Sequence, residues 1–178
     1  VGPLRVEVTL HGWRTVEPVP NTSEQVLRTT VFEPKDTYDR PNERSKCVVS
    51  YTVRLAGDES AAPVEEGSEV ACVQSCGNML PCIDAAVREM KAGERCRLDA
   101  PPEWAYGAAE LPPRSAAVAQ EHARAQASAV IVELVLHSYV REKDLWEMGA
   151  RQKWVLQQHL KDQGTNLFKT GDSERAVK

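Results

Sequence analysis

The segment Met90-Lys-Ala-Gly-Glu-Arg-Cys-Arg-Leu-Asp-Ala-Pro-Pro-Glu-Trp-Ala-Tyr-Gly107 leaves the backbone few choices: a helix end, a glycine stop, a short strand, a Pro-Pro turn and an aromatic-Ala-Tyr-Gly corner follow one another without slack. Just ahead of it, residues 79–91 place Leu80, Ile83, Ala86, Val87 and Met90 at three- and four-residue steps. That spacing draws one apolar stripe along a helix. Gly93 stops the helix, because glycine enters the left-handed cap conformation without a Cβ penalty. From Glu94 to Leu98 the sequence alternates, with Cys96 and Leu98 on one face and Arg95 and Arg97 on the other, as in a half-buried strand. Pro101-Pro102 ends that strand, since neither proline can donate to a ladder.

A chain of 178 residues with 42% hydrophobic content fills one domain core with some chain to spare. The formal charge is -4, with Lys and Arg scattered among Asp and Glu. No basic stripe is available for a phosphate backbone, so a nucleic-acid partner is not expected. No apolar run approaches the roughly 18–20 residues that cross a bilayer, and no signal-peptide pattern opens the chain, so no membrane partner is expected either. The five cysteines, Cys47, Cys72, Cys76, Cys82 and Cys96, are odd in number and mostly embedded in apolar patterns. They read as small buried hydrophobes in a reducing compartment. Cys72 and Cys76 form a close pair but lack the second pair or the histidines of a zinc knuckle, so no metal ligand is assigned.

The order of residues from Met90 to Gly107 resembles the signature of the FKBP-type peptidyl-prolyl isomerases, carried here by Met90, Gly93, Glu94, Pro102, Trp104, Ala105, Tyr106 and Gly107. The likeness extends upstream through Asp36-Thr-Tyr-Asp-Arg-Pro-Asn-Glu-Arg44 and Lys46-Cys-Val-Val-Ser-Tyr-Thr52, and downstream to Val130-Ile-Val-Glu-Leu-Val-Leu136 as a closing strand. The fold it implies is α+β: a curved antiparallel sheet wrapped around one short helix, residues 79–91, with a C-terminal helical extension.

Three regions follow from pattern and resemblance together. Residues 1–25 are a strand and a linker: Leu4, Val6, Val8 and Leu10 alternate with polar residues, and 14–25 is rich in turn formers. The strand resembles the end of a preceding domain of the same kind. Residues 26–140 are the FKBP-like domain, where Val26 to Phe32 is β, 36–42 is turn-rich, and Cys47, Val49, Tyr51, Val53 and Leu55 mark the buried face of a long strand. Between Gly107 and the closing strand, residues 116–127 are nearly all helix formers, and His122 within them reads as exposed rather than catalytic. Residues 141–178 resemble the linker helix and truncated first tetratricopeptide repeat of multidomain FKBPs, through Leu145-Trp-Glu-Met148, Gly164, Phe168, Gly171-Asp172 and Ala176.

An isomerase of this kind needs no nucleophile, general base or cofactor. The barrier of about 18–20 kcal/mol is amide resonance, lowered by a dry aromatic pocket and a few fixed donors. The resemblance assigns catalytic roles to Tyr51, the backbone N–H of Leu80, and Tyr106. It assigns substrate contacts to Val70, Met79, Ile83 and Val130. Four elements depart from the family: Ile83 stands in the place of a Trp, Val130 and Val70 each in the place of a Phe, and Ala61-Ala62 falls near a Phe-Asp pair. Each aromatic buries about 150–250 Å², so much of the surface for a proline ring is lost. The expected function is therefore an FKBP-type domain with an eroded pocket, weak or inactive as an enzyme, serving as a protein-interaction module of a cytoplasmic, co-chaperone-like protein. Its expected partners are proteins or proline-containing peptides, and for the parent's complete repeat domain a cytosolic heat-shock chaperone. The alternative is an active prolyl isomerase with a reshaped pocket.

Overall fold

A computed structural model describes residues 7, 9, 12–35, 38–57, 62–109, 111–122, 124–143 and 146–169, with the backbone alone at 113, 121, 159, 163 and 166–168. The chain divides into two units, residues 1–142 and 143–178. The first holds strands β1 (Val16–Pro18), β2 (Leu27–Phe32), β3 (Lys46–Leu55), β4 (Glu65–Val73), β5 (Arg95–Ala100) and β6 (Val130–Val140), with helices α1 (Pro81–Val87) and α2 (Pro113–Glu121). Single 3-10 turns lie at Pro102–Trp104 and Ala125–Ala127. Among the described residues of the second unit, Ala150–Lys169 forms a helix, α3.

The strands form one six-stranded antiparallel sheet in the order β1-β2-β5-β6-β3-β4. Strand β6 is its spine, pairing Val132 with Leu98 of β5 on one side and with Val53 of β3 on the other. Register shifts interrupt β2 at Thr30/Phe32 and β3 at Val48/Val49 and Val49/Tyr51. Such irregularities bend a strand and increase its twist. The alternation expected for β3 and β5 holds: Cys47, Val49, Tyr51, Val53, Cys96, Leu98 and Ala100 are buried, and they join Leu80, Ile83, Ala86, Val87 and Met90 in one core.

Several expectations need correction. The helix is shorter than 79–91: Pro81 occupies its first turn, where a missing N–H costs nothing. After Val87 the bonding tightens, with Glu89 N–H donating to Ala86 C=O at 2.9 Å and Met90 N–H to Val87 C=O at 3.2 Å. Met90 still reaches the core, and Gly93 with φ +84° makes the turn into β5. In that turn the Glu94 carboxylate accepts the Lys91 N–H at 2.8 Å. The expected linker 14–25 contains β1, whose Val16 pairs with Thr29. Pro18 is tolerated there because β1 is a sheet edge. The expected helix 116–127 instead begins at Pro113 and breaks at His122 into the 3-10 turn. Of the expected opening strand, Leu4, Val6, Val8 and Leu10 lie outside the described residues, as do Gly171, Asp172 and Ala176 of the repeat motif. Helix α3 begins at Ala150, just beyond Leu145-Trp-Glu-Met148, and Gly164 is within it.

Candidate functional site around Glu65

The core cluster brings Tyr51, Met79, Leu80, Ile83, Tyr106 and Val130 together, with Val70 partly buried against it. Each arrives from a different element. Tyr51 points inward from β3, opposite Gly67 of β4 and Leu134 of β6. Leu80 caps α1 in an extended conformation, φ -54° and ψ 141°, and its carbonyl accepts the N–H groups of Ile83 at 2.9 Å and Asp84 at 3.0 Å. Its own N–H therefore lies ahead of the helical bonding pattern. Val130 opens β6 opposite Ala100 and Leu55.

Tyr106 is fixed by the corner that follows β5. Gly107 N–H donates to Pro102 C=O at 2.8 Å, and the 3-10 turn at Ala125–Ala127 passes so close that a Cβ on Gly107 would meet the Gln126 oxygen at 2.7 Å. Only glycine permits that approach. Trp104 of the same corner donates its Nε1–H to Gln25 Oε1 at 2.9 Å, which ties the corner to the turn ahead of β2.

At the centre stands a residue that the sequence reading missed. Glu65, first residue of β4, is 5% exposed. Its Oε1 accepts the Tyr51 hydroxyl at 2.8 Å and its Oε2 the Tyr106 hydroxyl at 2.9 Å. Ser115 Oγ of α2 also donates to Oε1, at 3.3 Å, and Arg114 Nε stands 3.7 Å away. Arg114 further donates to the Glu66 carbonyl and lies over the Tyr51 ring, 5.9 Å from its centroid. The tyrosine ring is pressed against β4 at Gly67, where an added Cβ would fall 2.5 Å from Tyr51 Cε1. Burial first, then the neighbouring carboxylate, push both tyrosine hydroxyls well above their ordinary range. Both are neutral donors at physiological pH.

The apolar-acidic pair that reaches the tyrosines is thus Val64-Glu65 rather than Ala61-Ala62. Ala62 is exposed, and Ala61 lies outside the described residues. The available signal was the step from a Pro-bearing loop into Val64-Glu65-Glu66-Gly67, where a glycine follows two carboxylates. Ile83 and Val130 are each 0% exposed, so they serve as core residues beneath the site. Helix α2 lies over Glu65, with Ser115 and Ala119 buried and Val118 packed on the core. His122 at its end is exposed. Among the described residues no group of three or more His, Cys, Asp or Glu is placed to hold a metal ion, and Cys72 is buried while Cys76 is exposed.

Comparison with known proteins fixes what this arrangement is. The family profile described as FKBP-type peptidyl-prolyl cis-trans isomerase matches residues 38–127, half of the chain. The chain belongs to the FKBP family. It is 40% identical over 72 residues to FK506-binding protein 59 of Drosophila melanogaster, covering 39% of this chain and 16% of that protein. It is 28% identical over 104 residues to the bovine (Bos taurus) peptidyl-prolyl cis-trans isomerase FKBP4, covering 55% of this chain and 20% of that one. The chain therefore spans a fifth or less of the length of these two FKBPs. FK506-binding protein 1 of Kluyveromyces lactis is 30% identical over 89 residues, 49% of this chain and 75% of that protein. Among solved structures, the three FKBP domains of wheat FKBP73 superpose with a TM-score of 0.57 at 26% identity, covering 73% of this chain and 52% of that one. The N-terminal domain of FKBP42 from Arabidopsis thaliana, at 17% identity, shares the fold with a TM-score of 0.52 over 78% of this chain and 99% of that one.

Proposed function

We propose that residues 26–140 are an FKBP domain with a reduced proline pocket, weak or inactive as a prolyl isomerase, that serves as a protein-interaction module within a larger co-chaperone-like protein. The observation that carries this reading is the engagement of both candidate catalytic hydroxyls, Tyr51 and Tyr106, by one buried carboxylate, Glu65. A tyrosine hydroxyl has one proton to donate, so the carbonyl of a proline peptide has to displace the Glu65 carboxyl to use either donor. The full burial of Ile83 and Val130, where the family carries aromatic walls, supports the same reading. Exchange spectroscopy on a short X-Pro peptide tests it, with the bovine peptidyl-prolyl cis-trans isomerase FKBP4 as the positive standard. The expected result is an isomerisation rate close to the uncatalysed one, and a rate near that of the standard overturns the proposal. By the same reasoning this domain binds FK506-like macrolides no better than weakly, and a micromolar or tighter dissociation constant by calorimetry would contradict that.

The second reading, an active isomerase with a reshaped pocket, is favoured by the convergence of the Tyr51 and Tyr106 hydroxyls on one carboxyl. It requires α2 to lift from Glu65. For the longer protein we propose a cytoplasmic location and a complete tetratricopeptide array that receives the C-terminal carboxylates of a heat-shock chaperone, with Lys161 of α3 as one contact. A single exposed ion pair is worth only about 0–1 kcal/mol. A peptide ending in Glu-Glu-Val-Asp should therefore bind the full-length protein and leave residues 1–178 alone. Binding by this chain, or failure of the full-length protein, refutes that part.

A further inference from the structure

Cys47 and Cys72 sit directly opposite each other in the antiparallel pairing of β3 and β4. Both are free, both point into the core, and they are 1% and 5% exposed. The Cys47 thiol donates to the Ser45 carbonyl at 3.7 Å, and the two thiols are near enough that each alters the other's acidity. Directly opposed residues of an antiparallel pair have Cα atoms about 4.5–5.5 Å apart, inside the range of about 4.4–6.8 Å that a disulfide spans. The register therefore puts the two backbones within disulfide reach.

We propose that Cys47 and Cys72 are a redox modification site, a dithiol that low-molecular-weight disulfides of the glutathione class convert reversibly into a cross-strand disulfide. One cysteine thiolate attacks a sulfur of oxidised glutathione, forming a mixed disulfide and releasing one glutathione thiolate. The second cysteine thiolate attacks the protein sulfur of that mixed disulfide and releases the other glutathione. The two thiol protons end on the two departing glutathiones, which are the reduced products, while the cysteine pair is oxidised by two electrons. Reduction by a dithiol reverses each step.

Access comes from the position of β4, which is the edge of the sheet and pairs on one side only. A strand held by one ladder has fewer hydrogen bonds to break when the fold opens locally than one paired on both sides. The other thiols are placed differently. Cys82 is sealed within α1, and Cys96 of β5 donates to Met90 Sδ at 3.7 Å. Cys76 is exposed in the turn after β4 and offers a rival partner for Cys72. The consequence reaches the site described above, because β3 carries Tyr51 and β4 carries Glu65 and Val70. A bridge at Cys47–Cys72 ties the two strands together.

The test equilibrates residues 1–178 in oxidised and reduced glutathione, alkylates the remaining thiols in denaturant, and maps the peptides without reduction. The expected product is a Cys47 peptide joined to a Cys72 peptide, lighter by two hydrogens, with Cys82 and Cys96 alkylated. Amide exchange along β4 should slow in that species and recover on adding dithiothreitol. The same linkage is expected in Cys76→Ser. Alkylation of both Cys47 and Cys72, a Cys72–Cys76 bridge, glutathione retained on Cys76 alone, or loss of the linkage in Cys76→Ser would each overturn the proposal.

Discussion

Glu65 is reached by the side chains of Tyr51, Tyr106, Ser115 and Arg114, and its removal is the sharpest test of how the site is held. Glu65→Ala leaves the buried Tyr51 and Tyr106 hydroxyls without their acceptor. Each orphaned buried group costs about 1–3 kcal/mol, so urea unfolding should show a loss of that order per tyrosine, with a smaller loss in Glu65→Gln. Ile83→Trp restores the family's residue but enters a position with no free surface. Overpacking of this sort costs about 1–3 kcal/mol, and calorimetry with a macrolide should show destabilisation without recovered affinity. Alkaline pH reads the same interior. Burial pushes the Cys82 and Cys96 thiols up to about 12 from an ordinary 9.0, and raises both tyrosines. Above about pH 9 the unfolded chain sheds these thiol protons while the folded chain keeps them, so the stability they contribute is full below that pH and declines towards about 12. Tyrosine adds to the decline from about pH 10. The urea midpoint should therefore fall steadily above pH 9, less steeply in Tyr106→Phe; a flat profile would contradict it.

Helix α2 shows how an element outside the usual pattern is attached. Ser115 and Arg114 both reach Glu65, and Arg114 also reaches the Glu66 carbonyl, but the Arg114 side chain is 55% exposed. An ion pair that open contributes about 0–1 kcal/mol. The double substitution Arg114→Ala with Ser115→Ala should speed amide exchange in α2 while shifting the global unfolding midpoint only slightly. Elements of this kind separate what the sequence discloses from what it withholds. The alternation in β3 and β5 and the stripe from Leu80 to Met90 were legible because both faces of those elements meet distinct surroundings, core and solvent. Strands β1 and β4 were not, because they are sheet edges: β1 is exposed throughout, and β4 carries Glu65, Gly67, Ser68 and Glu69 where an interior strand would carry hydrophobes. The helix end misled because Met90 remains in the core after helical bonding has stopped. Around the site, the motif named Tyr51, Leu80 and Tyr106, which all lie in the core, and the two tyrosines share Glu65 as partner. Glu65 escaped because the loop ahead of it has no fixed length, and counting along a loop does not fix which residue enters the next strand.

For the molecule as a whole, residues 1–142 contain a complete sheet and core, and α3 belongs to the other unit. A chain ending at Glu142 should unfold in one cooperative transition by both circular dichroism and tyrosine fluorescence. A peptide of residues 143–178 alone should be only partly helical, since helix nucleation is costly and most helical stability in proteins comes from tertiary packing. Non-coincident transitions in the first, or a cooperative melt in the second, would contradict this division. The placing of β6 sets a further condition, on the order of events during synthesis. This strand lies between β5 and β3, yet it is the last of the six to be made. Until residues 130–140 have left the ribosome, β3 with β4 and β5 with β2 and β1 are two separate fragments, each exposing the inner edge that β6 later covers. Neither half can close on the other, however long translation pauses upstream. Folding of this domain is therefore a late event that waits for its final strand, and the nascent chain is most prone to wrong pairing in the interval just before that strand emerges.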